Sequence, residues 1–96
     1  MRRTDALETL DTHKAGIKAF GVRGLTLFGS VARDEARPES DVDILVEFER
    51  PVGYFTLVRL GTYLEQILAC RVDLVTPGAL TERFRERIRQ EAVRAA

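Results

Sequence analysis

The sequence holds one cysteine, one histidine and no surplus of charge, and each shortage closes off a class of function. Cys70 has no second cysteine to bond to, so there is no internal disulfide, and a reducing cytoplasm is the expected compartment. No CxxC is present and no histidine is its sequence neighbour, so Cys70 reads as a small buried hydrophobe rather than a reactive thiol. His13 has no other ligand type around it and reads as a solvated helix residue, not a metal ligand. Fifteen Lys and Arg meet fifteen Asp and Glu, so no bulk field draws nucleic acid or a membrane surface. No apolar run approaches the ~20 residues that span a bilayer. The start, MRRTDALETL, follows its basic residues at once with acids and has no long apolar core, unlike a signal peptide. There is no repeat and no low-complexity segment. With 96 residues, 45 % of them apolar, the expectation is one domain, 1–96, near the small end of what folds alone.

What is present is concentrated in Gly29 to Asp43, GSVARDEARPESDVD. Gly29-Ser30 follows the apolar run Leu25-Thr26-Leu27-Phe28, where a strand ends and a helix can begin. Backbone N–H groups at such a turn favour a phosphate. Ten residues later comes Asp41-Val42-Asp43, followed by the apolar Ile44-Leu45-Val46. In a strand, residues i and i+2 share a face about 6.6 Å apart. Two carboxylates on one face repel unless a cation lies between them, and a hard divalent ion is the natural occupant. A phosphate cradle beside a metal-binding acid pair is the apparatus of phosphoryl or nucleotidyl transfer.

The rest of the chain supplies elements to carry that segment. A helix is predicted from Thr4 to Phe20, with Leu7, Leu10, Ile17 and Phe20 near one face, and Gly21 stops it. Val22 to Phe28 reads as a strand, Val31 to Asp34 as a short helix, and Glu35 to Ser40, with Pro38, as a polar loop. Asp41 to Phe48 is the second strand. Its one face carries Asp41, Asp43, Leu45 and Glu47; the other, Val42, Ile44, Val46 and Phe48, is wholly apolar and predicted to pack on helices. After a turn at Glu49 to Val52, a long helix from Gly53 to Ala69 shows Tyr54, Leu57, Val58, Leu64 and Leu68 at helical period, with Gly61 on the stripe allowing close approach of another element. Arg71 to Val75 is a third strand, interrupted by Asp73. An acid there destabilises unless paired or solvated, so Asp73 is either a third metal-site carboxylate or a local cap or ion-pair partner. The residues alone leave both open. Thr76-Pro77 looks like a helix start. Leu80 to Ala92 is a charged amphipathic helix with Leu80, Phe84 and Ile88 as its stripe, and its interleaved Arg and Glu read as a solvated face rather than an RNA-binding one. The order implies an α/β (α+β) fold with a small mixed sheet, the first two strands antiparallel and the second and third parallel through the long helix.

Gly29-Ser30, ten residues and Asp41-Val42-Asp43 resemble the GSx10DxD motif of the polymerase-β-type nucleotidyltransferase superfamily. From about Leu7 to Val93 the chain resembles the minimal nucleotidyltransferases (MNT), the MntA-like antitoxins of HEPN–MNT toxin–antitoxin pairs. The resemblance implies a polymerase-β-like nucleotidyltransferase core in which Gly29 and Ser30 hold the nucleotide triphosphate and Asp41 and Asp43 bind Mg²⁺. Asp73 would complete the triad as a further metal ligand that orients the attacking hydroxyl or helps as its base. Arg33 either neutralises phosphate charge or forms a surface ion pair near Asp34 or with Glu39. Asp34 departs from the pattern, which often has glycine there; an acid beside the cradle weakens donor binding unless it points outward. The reaction implied is in-line attack on the α-phosphate of ATP, with pyrophosphate leaving.

Ninety-six residues leave little for a separate acceptor-binding domain, so a second molecule is expected to build much of the acceptor site. The resemblance implies a protein acceptor, a tyrosine of a cognate HEPN ribonuclease toxin, bound in a hetero-oligomer, with no direct nucleic-acid contact. Two other functions compete. One is an antitoxin that neutralises its partner by steric masking; the other is a nucleotidyltransferase for a small molecule or RNA end, completed by another subunit. The intact Gly-Ser turn and three acids favour catalysis, since masking needs none of them.

Overall fold

Alternation in residues 42–48 gives the sheet its two characters. The fold was obtained as a computed structural model, which describes residues 2–33, 41–79 and 82–95. Strand β1 (Val22–Phe28) runs antiparallel to β2 (Val42–Phe48), and β2 runs parallel to β3 (Val72–Val75), as the element order predicts. A short β4 (Val93–Arg94) adds antiparallel to β1, giving the order β3-β2-β1-β4. This mixed sheet with its helices is the α/β arrangement expected from the sequence.

Val42, Ile44 and Val46 are fully buried together with Leu25 and Leu27 of β1. They share one core cluster with Ala6 and Leu10 of helix α1 (Arg3–Thr12), Ile17 of α2 (Lys14–Lys18) and Leu60, Leu64 and Leu68 of α4 (Tyr54–Leu68). Burying each large aliphatic side chain contributes about 1.5–3 kcal/mol before entropy is counted. Helix α4 carries the chain from β2 back to the start of β3, and Gly61 faces Leu74 of β3: a Cβ there would stand 3.5 Å from the Leu74 side chain, an ordinary contact, so the approach does not depend on glycine.

Several boundaries differ from the sequence reading. The predicted first helix is two helices broken at His13. Both the His13 backbone N–H and its ring Nδ1 donate to the Thr9 carbonyl, at 3.2 and 2.9 Å, and the ring meets Tyr63 edge-on. His13 is thus a half-buried packing residue, not a solvated one. Gly21 does end the segment, at φ +86°. In α4 the buried stripe is Leu60, Leu64 and Leu68, with Leu57 half-buried. Tyr54 and Val58, predicted for that stripe, are exposed, Tyr54 at 75 %, because the amino end of α4 lies beyond the core. Thr76-Pro77 leads into a 3₁₀ turn (Pro77–Ala79), and the last helix, α5, spans Glu82–Glu91. Within its predicted stripe Ile88 is buried, while Leu80 and the Phe84 side chain lie outside the described residues. The loop Glu35 to Ser40 and Asp34 also lie outside them. Among the described residues, no helix is long and apolar enough to cross a membrane.

Candidate active site

The second face of the sheet gathers the residues singled out by the sequence. Phe28, the last residue of β1, is the Cα partner of Asp43. The chain then turns directly into α3 (Gly29–Ala32), which starts two residues earlier than predicted, with Gly29 at φ +75°. This turn lies against Asp43: a Cβ built on Gly29 would fall on the Asp43 carboxylate, with Cγ at 3.1 Å. Glycine is required here twice over, for the positive φ and for the space.

On the other side of β2, Asp43 is in parallel register with Asp73 of β3. Paired residues of neighbouring strands project to one face, with the strands about 4.8 Å apart. Asp41 sits two residues before Asp43, on the same face by the strand period. The register is pinned at this level by the Val42 N–H, which donates to the Arg71 carbonyl at 2.9 Å. Asp41 and Asp73 are exposed and Asp43 and Ser30 are half-buried, so the acids look outward from one edge of the face with the Gly29-Ser30 turn beside them.

The donor set is oxygen only, which suits a hard divalent cation. Among the described residues no three His, Cys, Asp or Glu side chains form a closed ligand group. Magnesium does not call for one: it keeps waters and takes one or two carboxylates together with substrate phosphates. Residues and register therefore fit such an ion. With a phosphate on the turn and an ion between acids and phosphate, the arrangement can orient a phosphate ester and offset the charge that develops on it.

Arg33 Nη1 pairs with Glu91 Oε2 of α5 at 2.9 Å, a residue far away in sequence, while Asp34 and Glu39 lie outside the described residues. Glu91 went unnoticed in the sequence because no periodicity links it to the Gly-Ser turn. Cys70 precedes the Arg71 carbonyl and is half-buried. Burial pushes its thiol up, and the negative charges of Asp41 and Glu65 push it further, which agrees with an inert side chain.

Beyond Asp43 the same strand face leads into a hollow of about 370 Å³ lined by Leu45, Glu47, Pro77, Arg85, Ile88 and Arg89. The α5 arginines that the sequence assigned to a solvated face thus border the face that bears the acids. A larger hollow, about 400 Å³, lies at the opposite end of β2 around Phe48, Arg50 and Pro51. It contains none of the three acids, and the chemistry lies with the acids rather than with the greater volume.

Residues 10–95 match the nucleotidyltransferase domain family. The chain is 41 % identical over 85 residues to protein adenylyltransferase MntA of Thermococcus cleftensis, an alignment covering 88 % of this chain and 86 % of that protein. Among solved structures it is similar to a minimal nucleotidyltransferase at 38 % identity and a TM-score of 0.74, covering 97 % of this chain and 95 % of the other. A chain from the tri-AMPylated Shewanella oneidensis HEPN toxin in complex with MNT antitoxin shares the fold, with a TM-score of 0.67 at 18 % identity, covering 100 % of this chain and 72 % of that one.

Proposed function

The chain belongs to the nucleotidyltransferase domain family, as a minimal, MntA-like member and an enzyme of that class, and from this premise we propose that it is a Mg²⁺-dependent protein adenylyltransferase acting as an antitoxin. It moves AMP from ATP to a tyrosine of a cognate HEPN ribonuclease toxin. The observation that carries this reading is the seating of the Gly29 turn on Asp43, with Asp73 in register on the next strand. A masking protein has no use for that arrangement.

In this reading the backbone N–H groups of the turn and the Ser30 hydroxyl bind the donor's triphosphate. Asp41 and Asp43 hold the ion, with Asp73 as a further ligand. When bound, Mg²⁺ supplies charge neutralisation at the phosphates and alignment of the reacting oxygens. Asp73, on the strand farther from the turn, would orient the tyrosine hydroxyl or accept its proton. The hydroxyl oxygen attacks the α-phosphorus, the new P–O bond forms as the bond to the β-phosphate oxygen breaks, and pyrophosphate leaves.

The domain 1–96 acts as one catalytic unit in the cytoplasm, in a hetero-oligomer with its acceptor, and does not itself bind nucleic acid. AMP on the toxin adds bulk and negative charge near an RNA site and repels the substrate backbone. The test is incubation with labelled nucleoside triphosphates, Mg²⁺ and the toxin of the neighbouring reading frame, followed by mass spectrometry of both proteins. Label on a toxin tyrosine, from ATP in preference to other triphosphates, is expected. Label on RNA or a small molecule would replace this acceptor with another.

A further inference from the structure

We propose that Glu91 is a positioning residue: by holding Arg33 it fixes the Gly29-Ser30 turn for the donor's triphosphate. The inference rests on the donor site proposed above and adds a residue from the opposite end of the chain. Helix α3 is a single turn of four residues, and a helix that short has no stability of its own. Its placement depends on what grips it. Val31 and Ala32 are buried in the core, and the Arg33 N–H closes the turn on the Gly29 carbonyl at 3.1 Å. Two side chains grip its far end. Arg3 Nη1 donates to the Ala32 carbonyl at 3.3 Å, and Arg33 Nη1 meets Glu91 Oε2 at 2.9 Å.

Glu91 is well anchored for this task. It is the last residue of α5, and the Ala92 N–H continues that helix by donating to Ile88 at 2.8 Å. The next residues zip onto β1: Val93 pairs with Leu27, Arg94 with Thr26, and the Ala95 N–H donates to Leu25 at 2.8 Å. The strand that delivers Gly29 at the front of the turn therefore also carries the segment whose Glu91 holds the back of it. The pair is neither buried nor fully solvated, with 35 % and 20 % of the two side chains exposed. A pair of this kind stabilises the whole fold only modestly. Its effect falls on the local geometry of a one-turn helix, where a small displacement moves the phosphate-binding N–H groups.

The experiment is isothermal titration of the full chain with a non-hydrolysable ATP analogue and Mg²⁺, beside melting curves without nucleotide and amide exchange across residues 29–33. Glu91→Gln keeps the shape and removes the charge. The expected result is an analogue Kd raised about fivefold, the size of a partly exposed ion pair, with faster exchange in the turn. The reversed pair, Arg33→Glu with Glu91→Arg, is expected to return the Kd to near the wild-type value. An unchanged Kd in Glu91→Gln would overturn the proposal. A folded reversed pair that binds no better than Glu91→Gln would overturn it too, showing that Arg33 serves the phosphates in its own right. No acceptor is needed, so failure to modify a toxin would strike the proposed function and leave this comparison intact.

Discussion

Gly29 and Asp43 share one volume: the carboxylate of Asp43 occupies the place where a side chain on Gly29 would begin. They meet because Phe28, immediately before Gly29, is the Cα partner of Asp43 in the antiparallel pair. The spacing between the Gly-Ser turn and the DxD in sequence is thus the length of chain that leaves β1 and returns as β2 with the acid beside the turn.

Gly29→Ala should therefore harm both stability and chemistry. A left-handed backbone with a Cβ costs about 1–2 kcal/mol, and the methyl displaces the Asp43 carboxylate. Urea unfolding should show a lower midpoint, and transfer of AMP should be lost. An unchanged midpoint would mean that the turn does not hold φ near +75°.

Asp43→Asn should separate stability from function. It removes one negative charge from a face that also bears Asp41 and Asp73, and relief of repulsion should leave the metal-free melting temperature equal or higher. Added Mg²⁺ should raise the melting temperature of the wild type by mass action and leave that of the variant in place. An equal magnesium response in both proteins would move the ion away from Asp43.

Ser30→Ala removes the side-chain donor and keeps the backbone N–H groups of the turn. Loss of one hydrogen bond to a charged group is worth about 1.5–3 kcal/mol, so nucleotide affinity should fall at least about tenfold while some transfer survives at saturating nucleotide. Unaltered affinity would place the phosphates elsewhere.

Ala69 ends α4 in the left-handed region at φ +55°, where helices commonly place glycine. Ala69→Gly relieves that strain and loses a little to the greater freedom of the unfolded chain, for a net gain of about 0.5 kcal/mol. Urea unfolding checks it, and a clear loss of stability would contradict the cap geometry.

What the sequence revealed and what it hid follow from the range of the forces involved. The two faces of β2 were readable because strand alternation is strict: Val42, Ile44 and Val46 are all fully buried. The parallel β2–β3 pairing was readable from the long helix between them, and it brings Asp73 level with Asp43. The break at His13 was hidden because the apolar period carries no mark of it: the His13 ring bonds back to the Thr9 carbonyl and meets Tyr63 of a distant helix. Strand β4 is two residues long, too short for any period, and exists through its pairing with the edge of β1. The exposure of Tyr54 and Phe55 at the head of α4 depends on where the core stops, which helical periodicity does not encode. Glu91 reached the site only through that same terminal pairing.

The central claim is that this chain modifies its partner covalently instead of merely covering it. The most direct measurement co-expresses the cognate toxin with the wild type or with Asp41→Asn/Asp43→Asn, strips the antitoxin under denaturing conditions, and determines the intact mass and refolded ribonuclease activity of the toxin. The account predicts AMP adducts and lasting inactivity after the wild type, and an unmodified, active toxin after the double variant. Toxin of unaltered mass and equal recovered activity in both cases would contradict it and leave steric masking as the function.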